Sequence, residues 1–249
     1  MTIVVGTCGF QRRRELHYRE LDGLEVQETF YSITDPGRLA RLRAEAPEGF
    51  HYTMKAWMLV THEYNPRLWR RLKTQPPGDK ANYGGFKPTR EVMWAWNMTL
   101  QAARALQAEV IVLQSPASFK PTDGNLENLL GFLERAPRDG FKLAWEPRGD
   151  WWSERSLLER VAAEGRVAIV GDPLKDREPV AYSRVVYVRL HGMGGEVNYR
   201  YRYTDEELRA LASWIRGLPG DHIAYIMFNN VYSFSDAVRL KRLLQDTRL

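Results

Sequence analysis

Short apolar, β-branched runs alternate along the chain with longer segments whose apolar residues recur every three or four positions. The runs 2–7 (TIVVGT), 24–30 (LEVQETF), 50–56 (FHYTMKA), 109–115 (EVIVLQS), 141–147 (FKLAWEP), 166–172 (RVAIVGD), 185–192 (VVYVRLHG) and 222–230 (HIAYIMFNN) predict strands. Segments 35–46, 89–107, 125–136, 154–164, 204–218 and 233–245 carry the helical period. Asp35 before Pro36, and Thr204 three residues before Glu207, supply helix starts. Gly-containing turns at 47–49, 138–140, 163–165 and 218–220 return the chain to the next strand.

Eight β-then-α units with near-continuous apolar strands predict the α/β class and one closed (β/α)8 TIM barrel. A doubly wound open sheet would show a Gly-rich phosphate fingerprint after its first strand, and GTCGF (6–10) is not one. A single domain over 1–249 is expected. One connection is long: 57–88, an insertion after strand 3 at the C-terminal face, rich in Pro, Gly, aromatics and base. Its length predicts a lid, a binding loop or a flap.

In such a barrel the chemistry lies where the βα loops converge, at the C-terminal strand ends. Those ends hold Thr7, Glu28, Lys55, Gln114, Glu146 and Arg148, Asp172, Arg189 and His191, then Asn229 and Asn230; Glu25 lies earlier in strand 2. The two-residue strand period puts Arg189 and His191 on one face, and likewise Glu146 and Arg148. Asp172 before Pro173 also reads as a turn cap. Residues two apart on a strand sit about 7 Å apart, so Glu146 and Arg148 are expected to take separate partners rather than merely pair with each other. Trp151 or Trp152, after the Gly149–Asp150 turn, is expected to wall the pocket.

Composition changes this picture in two ways. The single cysteine, Cys8, excludes an internal disulfide, and neither a signal peptide nor an apolar run of membrane-spanning length is seen, so a soluble cytoplasmic protein is expected. The net charge is +5, and bases outnumber acids in 11–15 (QRRRE) and in the long loop. Aromatics stand among those bases, a mixture that suits phosphate contact with base stacking as well as a solvated basic surface.

The motifs together resemble the YecE-like family, domain of unknown function 72, over nearly the whole chain. GTCGF (6–10) resembles its Gly-Thr-Ser-Gly-Trp, LEVQETFY (24–31) its Val-Glu-Ile-Asn-Ser-Thr-Phe-Tyr, and FHYTMKAWMLVTH (50–62) its Phe-x-Phe-x-x-Lys segment ending in Thr-His. LQSPASF (113–119), WEPRGDWW (145–152), YVRLHG (187–192) and FNN (228–230) match further segments. Cys8, Gln27 and Gly149 depart from its usual Ser, Asn and His. The resemblance implies a TIM barrel with Glu25, Lys55, His62, Glu146, Arg148, Arg189, His191 and Asn229 as its site. The layout is similar to the endonuclease IV and xylose-isomerase barrels, an analogy of fold only.

The reading that follows is a hydrolase acting on phosphodiesters, in nucleic acid. Glu25, Lys55, Glu146 and His191 are its catalytic candidates, and Arg148, Arg189, His62, Asn229 and Trp151 its substrate-binding ones. A divalent metal, the one cofactor considered, would be held by Glu146, Asp172 and His191, although no compact ligand motif is present. The alternatives are an enzyme on a small phosphorylated or carboxylated metabolite, of the sugar isomerase or lyase type, and a non-catalytic nucleic-acid-binding barrel. An anionic substrate is the expected partner, with no membrane and no obligate protein partner.

Overall fold

The computed structural model describes residues 1–33 and 35–246. In chain order the elements are β1 (Thr2–Cys8), α1 (Arg14–Glu20), β2 (Gly23–Val26), α2 (Glu28–Tyr31), α3 (Pro36–Glu45), β3 (His51–Lys55), α4 (Met58–Thr61), α5 (Pro66–Trp69) and α6 (Arg90–Leu106). Then come β4 (Val110–Gln114), α7 (Asp123–Arg135), β5 (Lys142–Glu146), α8 (Arg155–Gly165), β6 (Ala168–Ile169), β7 (Val185–Leu190), α9 (Asp205–Arg216), β8 (Ile223–Phe228) and α10 (Ser233–Gln245). The strands form one sheet in the order β6-β5-β4-β3-β2-β1-β8-β7, and a parallel bridge from Gly171 to Val188 links the two ends of that order. This is the (β/α)8-barrel fold. Two predicted helix starts are realised: Asp35 accepts from the Gly37 and Arg38 amides, and Thr204 with Glu207 forms a capping box. Among the described residues no helix is long and apolar enough to cross a membrane.

The chain divides into two compact units. The first comprises 1–25, 47–51 and 168–249. Its strands β1, β7 and β8 are parallel, with Val188 paired to Ile226 and Val5 to Ile226. Val186, Val188, Leu190, Ala224, Ile226 and Phe228 bury one face against Leu208, Leu211 and Ile215 of α9 and Ala237 and Leu240 of α10. Each such aliphatic side chain contributes roughly 1.5–3 kcal/mol. The alternate residues face the other way, where Tyr187 stacks on Tyr225.

The second unit comprises 26–46 and 52–167. Its strands β3, β4 and β5 are parallel, with Lys55 paired to Val112 and Gln114 to Glu146. Rings in contact run from Trp96 through Phe132, Phe86, Phe119 and Trp151 to Trp145.

Three expectations need correction. Run 24–30 stops being a strand at Val26, and Glu28 opens the one-turn helix α2 instead of ending β2. The β-branched and aromatic residues of ETF pack a βα loop as well as they would a pleat. Run 166–172 keeps only two strand residues, because Gly171 is used for a close approach: a Cβ there would lie 2.2 Å from the Arg177 carbonyl oxygen. Only a 3₁₀ turn, Pro173–Lys175, stands between β6 and β7. Finally, the long loop is partly core. Trp57, α4, Trp69, Tyr83 and Phe86 are buried, so these aromatics hold the loop down and are not displayed for stacking, whereas Tyr64 is exposed.

Candidate functional site

Every candidate residue but His62 and Trp151 lies at or just beyond the C-terminal end of a strand, and they fall into one cluster in each unit. In the first unit, the register that sets Cys8 beside Glu25 brings Glu25 under the end of β1. Glu25 Oε1 is 2.9 Å from Arg189 Nη2, and Glu25 Oε2 accepts from the Tyr187 hydroxyl at 2.8 Å. Both charged side chains are buried, at 0% and 1% exposure. Arg189 also reaches Cys8 Sγ at 3.6 Å, and His191 Nδ1 is 3.2 Å from the Arg189 carbonyl oxygen. A buried carboxylate and guanidinium are tolerated because each satisfies the other, and Tyr187 adds a charge-assisted bond. Asn229 is half-buried and donates its backbone N–H to Leu190, whereas Asn230 is tied to Tyr201 and Asp236.

Asp172 in this unit is buried and caps the 3₁₀ turn by accepting from the Leu174 amide at 3.2 Å. Among the described residues no donor reaches its Oδ2. Burial raises its carboxyl to about 6, only partly offset by Lys175, the Leu174 amide and Arg177.

The second cluster gathers the ends of β3, β4 and β5 with α2 and α4. Lys55 Nζ donates to Gln114 Oε1 at 2.6 Å and sits 3.7 Å from the centre of the Phe30 ring. His62 meets the same ring edge-on at 5.0 Å, and its Nδ1 is 2.8 Å from the Thr61 hydroxyl. The position of His62 is set by the loop. Amides of Gly84, Gly85 and Phe86 donate to the carbonyls of Leu59, Thr61 and Val60. Gly84 has φ +77°, and a Cβ there would lie 2.2 Å from the His62 carbonyl, so only glycine fits. Burial, then the Lys55 and Arg148 charges, press the imidazole down to about 3. His62 is therefore neutral at physiological pH, beside two cations.

Arg148 and Glu146 do pair, with Arg148 Nη2 2.8 Å from Glu146 Oε1, and each has a further contact besides. The two-residue spacing does not prevent this contact, because the long Arg148 side chain spans it. Trp151 is corrected as a substrate contact. It is fully buried, stacks on Phe119, meets Trp145 edge-on and donates its indole N–H to the Phe119 carbonyl. It fixes the 149–153 turn that follows Arg148. Among the described residues no group of three or more His, Cys, Asp or Glu could hold a metal ion, so the set Glu146, Asp172 and His191 receives no geometric support.

Sequence reasoning missed Phe30, which lies against both Lys55 and His62, because its segment read as strand. It named Gln114 only as a strand end, although the matched ends of β4 and β5 bring Gln114 level with Glu146.

Fold and strand-end clusters together define an α/β-barrel protein with polar groups at the C-terminal ends of its strands. The chain belongs to the family described as Protein of unknown function DUF72, which it matches over residues 8–249. No curated protein matches it. It is similar in structure to a DUF72 family protein from Enterococcus faecalis (16% identity, 98% and 97% of the two chains covered, TM-score 0.74). It is also similar to one from Thermotoga maritima (23%, 99% and 100%, TM-score 0.68). Endonuclease IV from Thermus thermophilus shares the fold at 15% identity, with 98% and 97% covered and a TM-score of 0.51.

Proposed function

We propose that the protein is an enzyme that binds a phosphate-bearing substrate at the Lys55–Arg148–His62 cluster and hydrolyses a phosphoester there, with phosphodiesters as the substrate class. What supports this reading is the packing of Lys55 and His62 on the one Phe30 ring, where burial and the Lys55 and Arg148 charges lower the imidazole. Two cationic side chains acting on one imidazole suit an anionic group, with Glu146 holding Arg148 in place. Lys55 and Arg148 take the phosphoryl oxygens, Arg148 being aimed by Glu146. His62 accepts the proton of the attacking water as the P–O bond to the ester alcohol breaks, and the protonated imidazole returns that proton to the leaving alkoxide oxygen. The bound anion offsets the two cations, so the proton becomes easier to hold as the substrate seats. No step is routed through a metal.

The depth of Lys55, only 6% exposed, favours a second reading. A small phosphorylated or carboxylated metabolite reaches a recessed ammonium more readily than a duplex backbone does, and the loop aromatics are mostly buried. The two readings separate by turnover. The full chain is assayed with bis(p-nitrophenyl) phosphate and short RNA and DNA oligonucleotides, with and without EDTA, and as His62→Asn. The first reading expects EDTA-resistant turnover that His62→Asn lowers at least about a hundredfold, the scale of a lost general base. Anion binding without ester cleavage points to the metabolite enzyme. Salt-sensitive retention of oligonucleotides without turnover points to a binding barrel.

A further inference from the structure

A pocket of about 560 Å³ lies beside α2, lined among others by Glu28, Tyr31, Ser32, Arg71, Lys73 and Thr74. Its volume is that of a small-molecule site. The Arg71 guanidinium stands 3.5 Å from the centre of the Tyr31 ring, making a cation-over-aromatic plate. Arg71 is exposed and lines the pocket, so its guanidinium is available to a ligand there. The pocket also offers edge chemistry: the Glu28 carboxylate, held 3.0 Å from Arg38, accepts hydrogen bonds, and Ser32 and Thr74 bring hydroxyls. Tyr31 adjoins Phe30 edge-on at 4.9 Å, and Phe30 in turn touches Lys55 and His62. Plate and anion cluster are therefore neighbours across one ring.

We propose that this pocket is a second substrate subsite, which takes a nucleobase-class planar ring while the attached phosphate enters the Lys55–Arg148–His62 cluster. The inference rests on the anion reading of that cluster and narrows its substrate to a nucleotide-type phosphoester. Guanidinium planes and tyrosine rings are surfaces on which bases stack, with little dependence on the base. The acceptor and hydroxyls at the edge suit exocyclic amino groups and ring nitrogens.

The test is calorimetric titration of the full chain with adenosine 5′-monophosphate, ribose 5-phosphate and adenosine, repeated with Arg71→Lys and Arg71→Ala. The expected result is that the nucleotide binds at least about tenfold more tightly than ribose 5-phosphate, the scale of one stacked base. That ratio falls to near one in both variants, because lysine keeps the charge and loses the plane. Equal affinity of the two phosphates in the wild type overturns the subsite and leaves the anion reading standing. Adenosine binding that Arg71→Lys abolishes, with no binding of ribose 5-phosphate, supports the subsite and sinks the anion reading. A tenfold ratio that survives Arg71→Lys shows that the guanidinium plane does not provide the preference and overturns the stacking plate.

Discussion

Arg148 Nη2 lies 2.8 Å from Oε1 of Glu146, two residues before it on the same chain, and the two side chains are only 11% and 7% exposed. Arg148→Ala and Glu146→Ala should each destabilise the protein by roughly 3 kcal/mol, because removing one member takes the ion-pair partner from a largely buried charge. Urea unfolding of the singles and the double measures this. Additive effects in the double-mutant cycle would show that the contact carries no coupling energy.

The Glu25–Arg189 pair is more deeply buried and has a second contact, so its members should separate by chemistry. Glu25→Ala should cost about 3–5 kcal/mol, whereas Tyr187→Phe, which deletes one hydroxyl at the carboxylate, should cost about 1.5–3 kcal/mol. Equal losses in denaturant titrations would mean that the hydroxyl, not the ion pair, dominates.

The clasp between α4 and residues 84–86 makes the long loop part of the fold. Phe86→Ala should cost about 3–5 kcal/mol as a core truncation. Deleting 66–86 should abolish cooperative thermal unfolding, since it removes Trp69, Tyr83 and Phe86, all buried. A deletion variant that melts cooperatively near the wild-type temperature would return the loop to the status of a dispensable flap.

Asp172 gives a pH signature whose sign is opposite to that of a salt-bridged carboxylate. Its carboxyl is raised from 3.8 to about 6 in the folded protein. The folded state thus holds the proton more tightly, and the stability this provides is full below pH 3.8 and lost as pH rises through about 6. Asp172→Asn keeps an acceptor for the Leu174 amide and removes the buried charge. It should stabilise the protein at neutral pH by on the order of 2 kcal/mol and leave stability near pH 3.5 almost unchanged. A variant that is less stable at pH 7.5 would contradict this account.

How far the sequence reaches is clearest residue by residue. The runs behind β7 and β8 were legible because they are short and mostly apolar, and the shared face of Arg189 and His191 followed from the strand alternation. Asp172 before Pro173 announced its cap. Phe30 was hidden because its local propensity matches a strand, and only the tertiary contact with Lys55 and His62 makes α2 a wall of the site. The Arg148–Glu146 contact was hidden for another reason: backbone spacing is fixed, but a long side chain chooses its direction by its neighbours. Composition likewise cannot distinguish Tyr83 and Phe86, which are buried, from Tyr64 and Tyr199, which are exposed.

His62 supplies the most direct test of the site. Its imidazole is lowered from 6.5 to about 3 by burial and by the charges of Lys55 and Arg148. The folded state therefore binds this proton less well than the unfolded chain. The corresponding stability is present above pH 6.5 and is lost as pH falls toward 3. An anion seated between the two cations weakens the repulsion, so proton and anion should bind each other's complex more tightly. Imidazole NMR of the apo protein should show His62 neutral at pH 5, and saturating sulfate, whose charge is fixed in this range, should move its midpoint upward. By linkage, sulfate affinity must rise as pH falls, and His62→Asn must remove that dependence while leaving the other histidine signals in place. A His62 that titrates near 6.5 without sulfate, or a midpoint that sulfate leaves unmoved, would detach His62 from the cations and remove the basis for the proposed proton transfer.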